Sequence, residues 1–352
     1  MYFNWIDHDT VDVAHYDTHL HWRRLPIKEH LLTTTALRVS GASEEPNTKP
    51  HLQTYDDVAR SVEECYSVAP GRVWKSSIYL TPDTKSSDVI RAWEAGLITH
   101  VKRYPPHGST HSDESVSDHV LLDQESPTGR LLRDMSERRI PYKSHGEVVE
   151  WNGEELDPFD REEVYFREVQ PRIDETYPDL RQIHAHISTA QAADYMRQHG
   201  DPTKKIAEIT GHHGMKDRRI TFDGGAYIVD HHCLPPVKRL QHRDALRDLL
   251  AEKPAYLVAG SDAAAHTVES KYQCCAFGGF YTYHCSLELY LQLLAQRFFG
   301  SLLPKNPHRI RVQRKMWQVT DRIKSADGAH VFTPFGFHPN KERRHQFTWP
   351  TV

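Results

Sequence analysis

The chain has 352 residues, 38% of them hydrophobic, which is enough for the core of one large α/β domain or two ordinary ones. Its 44 Lys+Arg and 48 Asp+Glu give a net charge of -4 with no long run of either sign, which excludes a nucleic-acid stripe or a polybasic membrane patch. No apolar stretch approaches the ~20 residues of a membrane span, and MYFNWIDHDTVD lacks the basic start and apolar centre of a signal peptide, so a soluble cytoplasmic protein is expected.

Eight short runs rich in β-branched residues follow one another, each ending in a polar cluster. The first two are VDVAHYDTHLH (11-21) and ALRVSGAS (36-43). A helical pattern comes next, with Val58, Val62 and Cys65 at i, i+4, i+7 and a capping-box-like start at Thr54 and Asp57. VWKSSIYLT (73-81), LITHVKRY (97-104), IPYKSHGE (140-147), QIHAHIS (182-188) and KIAEITGHH (205-213) continue the series. KRLQHRDALRDLLAEK puts Leu246, Leu249 and Leu250 on one helical face before the last run, AYLVAGSD (255-262), and Leu287, Leu291, Leu294 and Phe298 line a further helix. Strand and helix alternating eight times predicts an α/β fold of the (β/α)8 TIM-barrel type. An open doubly wound sheet is the alternative, but no Gly-x-Gly-x-x-Gly turn follows the first run. The Pro-, Gly- and charge-rich tail after about residue 300 reads as a C-terminal extension packed on the barrel, making 1-352 a single domain.

Five cysteines without C-x-x-C spacing argue against a disulfide framework and a thiolate zinc site, and are expected to be reduced and mostly structural. Histidine is the excess, with 25 residues, several in pairs. Barrel active sites lie where the strands end. There His19 and His21 alternate with Leu20, so both imidazoles face one side and can grip one metal, although H-x-H also arises by chance in so His-rich a chain. Lys102, His145, His186 and Asp262 fall at the ends of other runs. Zinc accepts His nitrogen and Asp oxygen. An ammonium cannot ligate, but a lysine buried beside two dications would favour its neutral form and could take up CO2 as a bridging carbamate; the other reading of Lys102 is a neutral or paired lysine facing substrate. His184 is expected to share a strand face with His186, and His212 or His213 to be a hydrogen-bonded polar residue near the pocket.

D-T-H-L-H-W-R (17-23), P-N-T-K-P (46-50), K-R-Y-P-P-H-G-S-T (102-110), H-G-E-V (145-148), A-H-I-S-T-A-Q-A-A-D-Y (185-195), C-L-P-P-V-K-R (233-239) and G-S-D-A-A-A-H (260-266) occur in this order. Together they resemble the class II dihydroorotases of the amidohydrolase superfamily. The resemblance implies reversible cyclisation of N-carbamoyl-L-aspartate to L-dihydroorotate in pyrimidine biosynthesis, by a homodimer with two zinc ions per subunit. It makes His19 and His21 ligands of the first zinc, His145 and His186 of the second, and Lys102 the N6-carboxylated bridge. Asp262 becomes the remaining ligand of the first zinc and the general base or acid. Arg23, Asn47 and His266 fall where the family binds the substrate carboxylate, with Gly278 nearby, and Leu234 offers backbone groups to the pyrimidine ring. Ser109 and Thr110 match a loop that closes over substrate.

The chain departs from the family in Ala263 and Ala265, where Ser and Pro are usual, in Ala185, where Glu is usual, and in the acidic SGASEEP before Asn47. A hydantoinase or allantoinase is the alternative enzyme, and a catalytically silent partner subunit the non-enzymatic one. Arg23 with His266 speaks against the first, and retention of all six ligand positions against the second.

Overall fold

The computed structural model describes residues 16–36, 39–223 and 225–283, together with 285, 286, 289, 290, 293 and four two-residue strand segments nearer the ends. Leu287, Leu291, Leu294 and Phe298 of the expected helix lie outside the described residues, as does the extension after about residue 300 apart from Ile323–Lys324 and Val331–Phe332.

Each apolar run yields a parallel strand shorter than its sequence signal: the first two strands occupy the end of their runs, and from the third onward the polar cluster that closes the run turns into loop. The strands are β1 (Tyr16–His21), β2 (Gly41–Glu44), β3 (Val73–Tyr79), β4 (Ile98–Arg103), β5 (Tyr142–His145), β6 (Gln182–Ala185), β7 (Lys205–Ile209) and β8 (Leu257–Ala259), with β9 (Ala263–Ala264) directly after β8. The hydrogen-bonded order is β8-β7-β6-β5-β4-β3-β2-β1-β9, all neighbours parallel. β8 and β9 are two halves of one strand: β8 pairs with β7, while Ala263 and Ala264 pair with Leu20 and His21 of β1. Across the break Thr18 Oγ1 donates to Ala259 O at 2.9 Å, and the Asp262 N–H donates to His19 O at 2.8 Å. The sheet thus returns to its first strand as a TIM barrel.

The outer helices obey the sequence pattern. Tyr55–Val68 buries Val58, Val62 and Cys65, and its start is a true capping box in which Thr54 and Asp57 satisfy each other's backbone N–H. Such a cap contributes about 1 kcal/mol, and each fully buried aliphatic side chain about 1.5–3 kcal/mol. Leu240–Ala251 buries Leu246 and Leu249, with Leu250 half-buried. The run 205–213 divides, because Thr210 accepts from His213 N and caps a helical turn at Gly211–Met215.

Candidate active site at the strand ends

The end of β1 delivers two imidazoles to the barrel mouth. Leu20 turns outward into a cluster with Trp22, Leu31 and Leu32, while the His19 and His21 rings stand 5.4 Å apart. Asp262, at φ 48° in the break between β8 and β9, meets both. Its Oδ1 lies 3.1 Å from His21 Nε2 and 3.3 Å from His19 Nε2. Tetrahedral zinc with bonds near 2.0–2.1 Å separates adjacent ligand atoms by about 3.3 Å, so these three atoms already have the spacing of one ion's ligands. Gly260 permits this approach, since a Cβ there would stand 2.8 Å from His19 Cβ.

The other three members gather opposite. The His186 ring lies 5.1 Å from that of His19 and 4.6 Å from that of His145. His145 Nε2 is taken by Glu147 at 2.6 Å, which leaves Nδ1 as the available nitrogen. Lys102 Nζ is fully buried, 5.0 Å from the Tyr104 ring and ion-paired with Glu45 at 3.4 Å, while His19 Nε2 and His186 Nδ1 are buried without a hydrogen bond. Buried polar atoms without a hydrogen bond are costly, and two imidazole nitrogens left so on rings 5.1 Å apart fit a site built to hold cations.

The electrostatics agree. Burial would raise the Asp262 carboxyl, but His19 and His21 beside it hold it well below the usual range. Burial lowers His186 strongly, with His145 adding to the effect, and it lowers His145 against the pull of Glu147. Both are therefore neutral, the state that ligates metal. Burial outweighs Glu45 to bring Lys102 down to about 8, nearer the free amine that could take up CO2. His19 differs: burial lowers it, but Glu45 and Glu208 prevail over burial and the neighbouring lysines and raise it.

A second group forms beside β1. Arg23 Nη2 lies 3.1 Å from His266 Nε2, which faces Gly278 O at 2.9 Å. Arg23 Nε donates to Ala265 O, and Nη1 to Thr48 Oγ1 at 3.0 Å. A Cβ on Gly278 would stand 3.0 Å from Leu234 Cγ, so Leu234 belongs to the same pocket wall. Asn47, next to Thr48, donates from Nδ2 to Thr110 O at 2.9 Å and so ties down the loop carrying Ser109 and Thr110. Ser109 N donates to Ser112 Oγ at 2.9 Å, and Lys49 and His51 pair with Asp113 and Glu114 at 3.3 and 3.2 Å.

His184 does not share the interior face with His186. The strand ends at Ala185 and His186 has φ 37°, so the alternation breaks, and His184 packs outward against Phe166 and Tyr195 at 5.2 and 5.8 Å. His213 is hydrogen-bonded as expected, to Thr210 Oγ1 at 2.8 Å and Pro235 O at 3.0 Å, whereas both nitrogens of His212 are buried without a partner. His212, His213 and Cys233 lie close enough to hold an ion, but His213 and the Cys233 thiol, which donates to Pro235 O at 3.1 Å, are already engaged. Cys274 and Cys275 are exposed rather than structural.

Sequence patterns missed the residues behind the ligands, namely Glu45, His100, Lys143, Glu147, Glu208 and Lys238. For two of them a signal existed: His100 and Lys143 precede Lys102 and His145 by two residues, the spacing of one strand face.

Comparison with known proteins agrees with this architecture. The chain is 30% identical to a dihydroorotase of Nitrosomonas europaea over 328 residues, covering 87% of this chain and 90% of the relative. It is 31% identical to a dihydroorotase of Aromatoleum aromaticum, covering 86% and 90%. No family model matches the sequence. The fold superposes on Saccharomyces cerevisiae dihydroorotase in complex with 5-fluoroorotic acid with a TM-score of 0.72 at 23% identity, covering 81% of this chain and 79% of that one. For the L-hydantoinase of Arthrobacter aurescens the TM-score is 0.60 at 16% identity, covering 79% and 65%. The barrel is therefore the fold that these dihydroorotase and hydantoinase structures share. Within that class the chain belongs to the dihydroorotase family.

Proposed function

We propose that the protein interconverts N-carbamoyl-L-aspartate and L-dihydroorotate with two zinc ions, one held by His19, His21 and Asp262, the other by His145 and His186, and both by an N6-carboxylated Lys102. The observation that carries the reading is the pair Arg23 and His266, 3.1 Å apart beside the His19, His21 and Asp262 triad. A guanidinium fork pairs with a carboxylate, which dihydroorotate has and unsubstituted hydantoin lacks. The hydantoinase alternative is therefore not favoured, and a silent subunit would have little use for six intact ligand positions.

When bound, the two ions would polarise the amide carbonyl and make water nucleophilic at neutral pH. The chain supplies the rest. Arg23 and His266 anchor the carboxylate with Gly278 beside them, and Leu234 borders the ring. Asp262, ionised at rest, accepts a proton at Oδ1 or Oδ2 and returns it to the leaving nitrogen. The loop with Ser109 and Thr110, held by Asn47, excludes water from the mouth. The same reading makes 1-352 one barrel domain with the segment after about 300 packed on it, in a cytoplasmic homodimer.

Purified protein is expected to contain close to two equivalents of zinc and to turn over N-carbamoyl-L-aspartate, with Lys102→Ala abolishing turnover and lowering the zinc content. Metal-free protein without turnover would refute the reading, and turnover of hydantoins alone would select the alternative.

A further inference from the structure

The barrel interior beneath the site is charged where such interiors are ordinarily filled by branched aliphatic side chains. Glu45, His100, Lys143 and Glu208 come from four different strands or strand ends, and none is more than 1% exposed. They interlock. Lys143 Nζ donates to Glu45 at 2.6 Å, Glu208 at 2.7 Å and Thr18 O at 3.0 Å. Glu208 takes His19 Nδ1 at 2.8 Å and Thr18 Oγ1 at 2.6 Å, while Glu45 lies 3.3 Å from His100 Nε2 and 3.4 Å from Lys102 Nζ. Removing such ions from water costs several kcal/mol each, and well-packed apolar residues would hold a barrel together as well or better. Folding alone therefore does not account for the cluster.

Its geometry indicates a use. An imidazole that ligates a metal carries one proton; with Glu208 accepting it at Nδ1, His19 would present the lone pair of Nε2 beside Asp262 and His21. The same order of groups recurs on the other side of the site, where His145 Nε2 meets Glu147 at 2.6 Å and Glu147 meets Lys238 Nζ at 3.5 Å. His19 and His145 are thus each backed by a carboxylate and then an ammonium. Glu45, Lys143 and Glu208 together carry one net negative charge, placed where cations would gather.

We propose that Glu208, held by Lys143 and Glu45, is a positioning residue that fixes the tautomer and aim of His19 and so sets the affinity of the first metal position. This rests on the reading of His19 as a metal ligand. The test is zinc affinity of the full-length protein, measured by chelator competition without substrate, alongside thermal unfolding of the metal-free forms. Glu208→Gln is expected to weaken zinc binding about 10–100-fold, the usual effect of losing such a partner. The double variant Glu208→Leu/Lys143→Met replaces the buried ion pair with apolar groups; it is expected to unfold no earlier than wild type yet to keep the affinity loss. If Glu208→Gln does not fold, the double variant carries the test. Wild-type affinity in either folded variant overturns the proposal, because the cluster would then be only structural. Zinc-free wild-type protein under the same conditions overturns the reading of the site itself, and the proposal with it.

Discussion

Replacing Arg23 with lysine keeps the charge and removes the fork. In the structure Nε and Nη1 of Arg23 are committed to Ala265 O and Thr48 Oγ1, and Nη2 reaches toward His266 at 3.1 Å. Only the Nη2 side is left to meet a substrate carboxylate. A lysine ammonium has three donors on a flexible stem and cannot serve the wall and the substrate in that fixed geometry. Loss of one charge-assisted hydrogen bond costs about 1.5–3 kcal/mol, which corresponds to roughly a 10- to 150-fold fall in kcat/KM. The anchored carboxylate is remote from the reacting amide and is held alike in ground and transition states, so the loss should appear as a higher KM with kcat largely retained. Steady-state kinetics with dihydroorotate, with zinc content measured on the same preparation, decide the matter. A kcat/KM within twofold of wild type, or a loss explained by missing zinc, would refute the assignment of Arg23 to the carboxylate.

Two further perturbations probe the frame. Glu162 is buried with its carboxylate accepting from Ser188 N at 2.8 and 3.0 Å, just after His186, and burial pushes its pKa up to about 7 despite Lys238. A carboxyl raised in the folded state favours folding fully below its unfolded value near 4.5, and that contribution is lost as pH rises through about 7. Glu162→Gln should therefore melt above wild type at pH 8 and converge with it below pH 4.5; a gap independent of pH would contradict the assignment. Trp74, 1% exposed and edge-on to Trp22 at 5.9 Å, also donates from Nε1 to Ala69 O at 2.8 Å. Trp74→Ala should cost about 3–5 kcal/mol in urea unfolding, and a loss below 1 kcal/mol would show that the β1 side of the barrel can collapse into the void.

The strand order and the helix over Tyr55–Val68 were legible in the sequence, because periodicities of 2 and 3.6 report which face a residue buries and because Thr54 and Asp57 act within one turn. His19 and His21 were legible as a pair for the same local reason. His184 and His186 were not separable: equal spacing predicts one face, and only the φ of 37° at His186 turns one ring inward and leaves the other among Phe166 and Tyr195. Asn47 could be placed near the mouth but not on the loop, since Thr110 reaches it across 63 residues.

By itself the sequence determined which segments become strands and which imidazoles leave the end of β1 together, both consequences of interactions between near neighbours along the chain. Only the tertiary structure decided that Glu45, Lys143 and Glu208 meet behind His19. They come from two strands and the end of a third, far apart in sequence, and an isolated charge in an apolar run gives no sign of its partner until barrel closure removes the water around it and leaves the other charges as its neighbours.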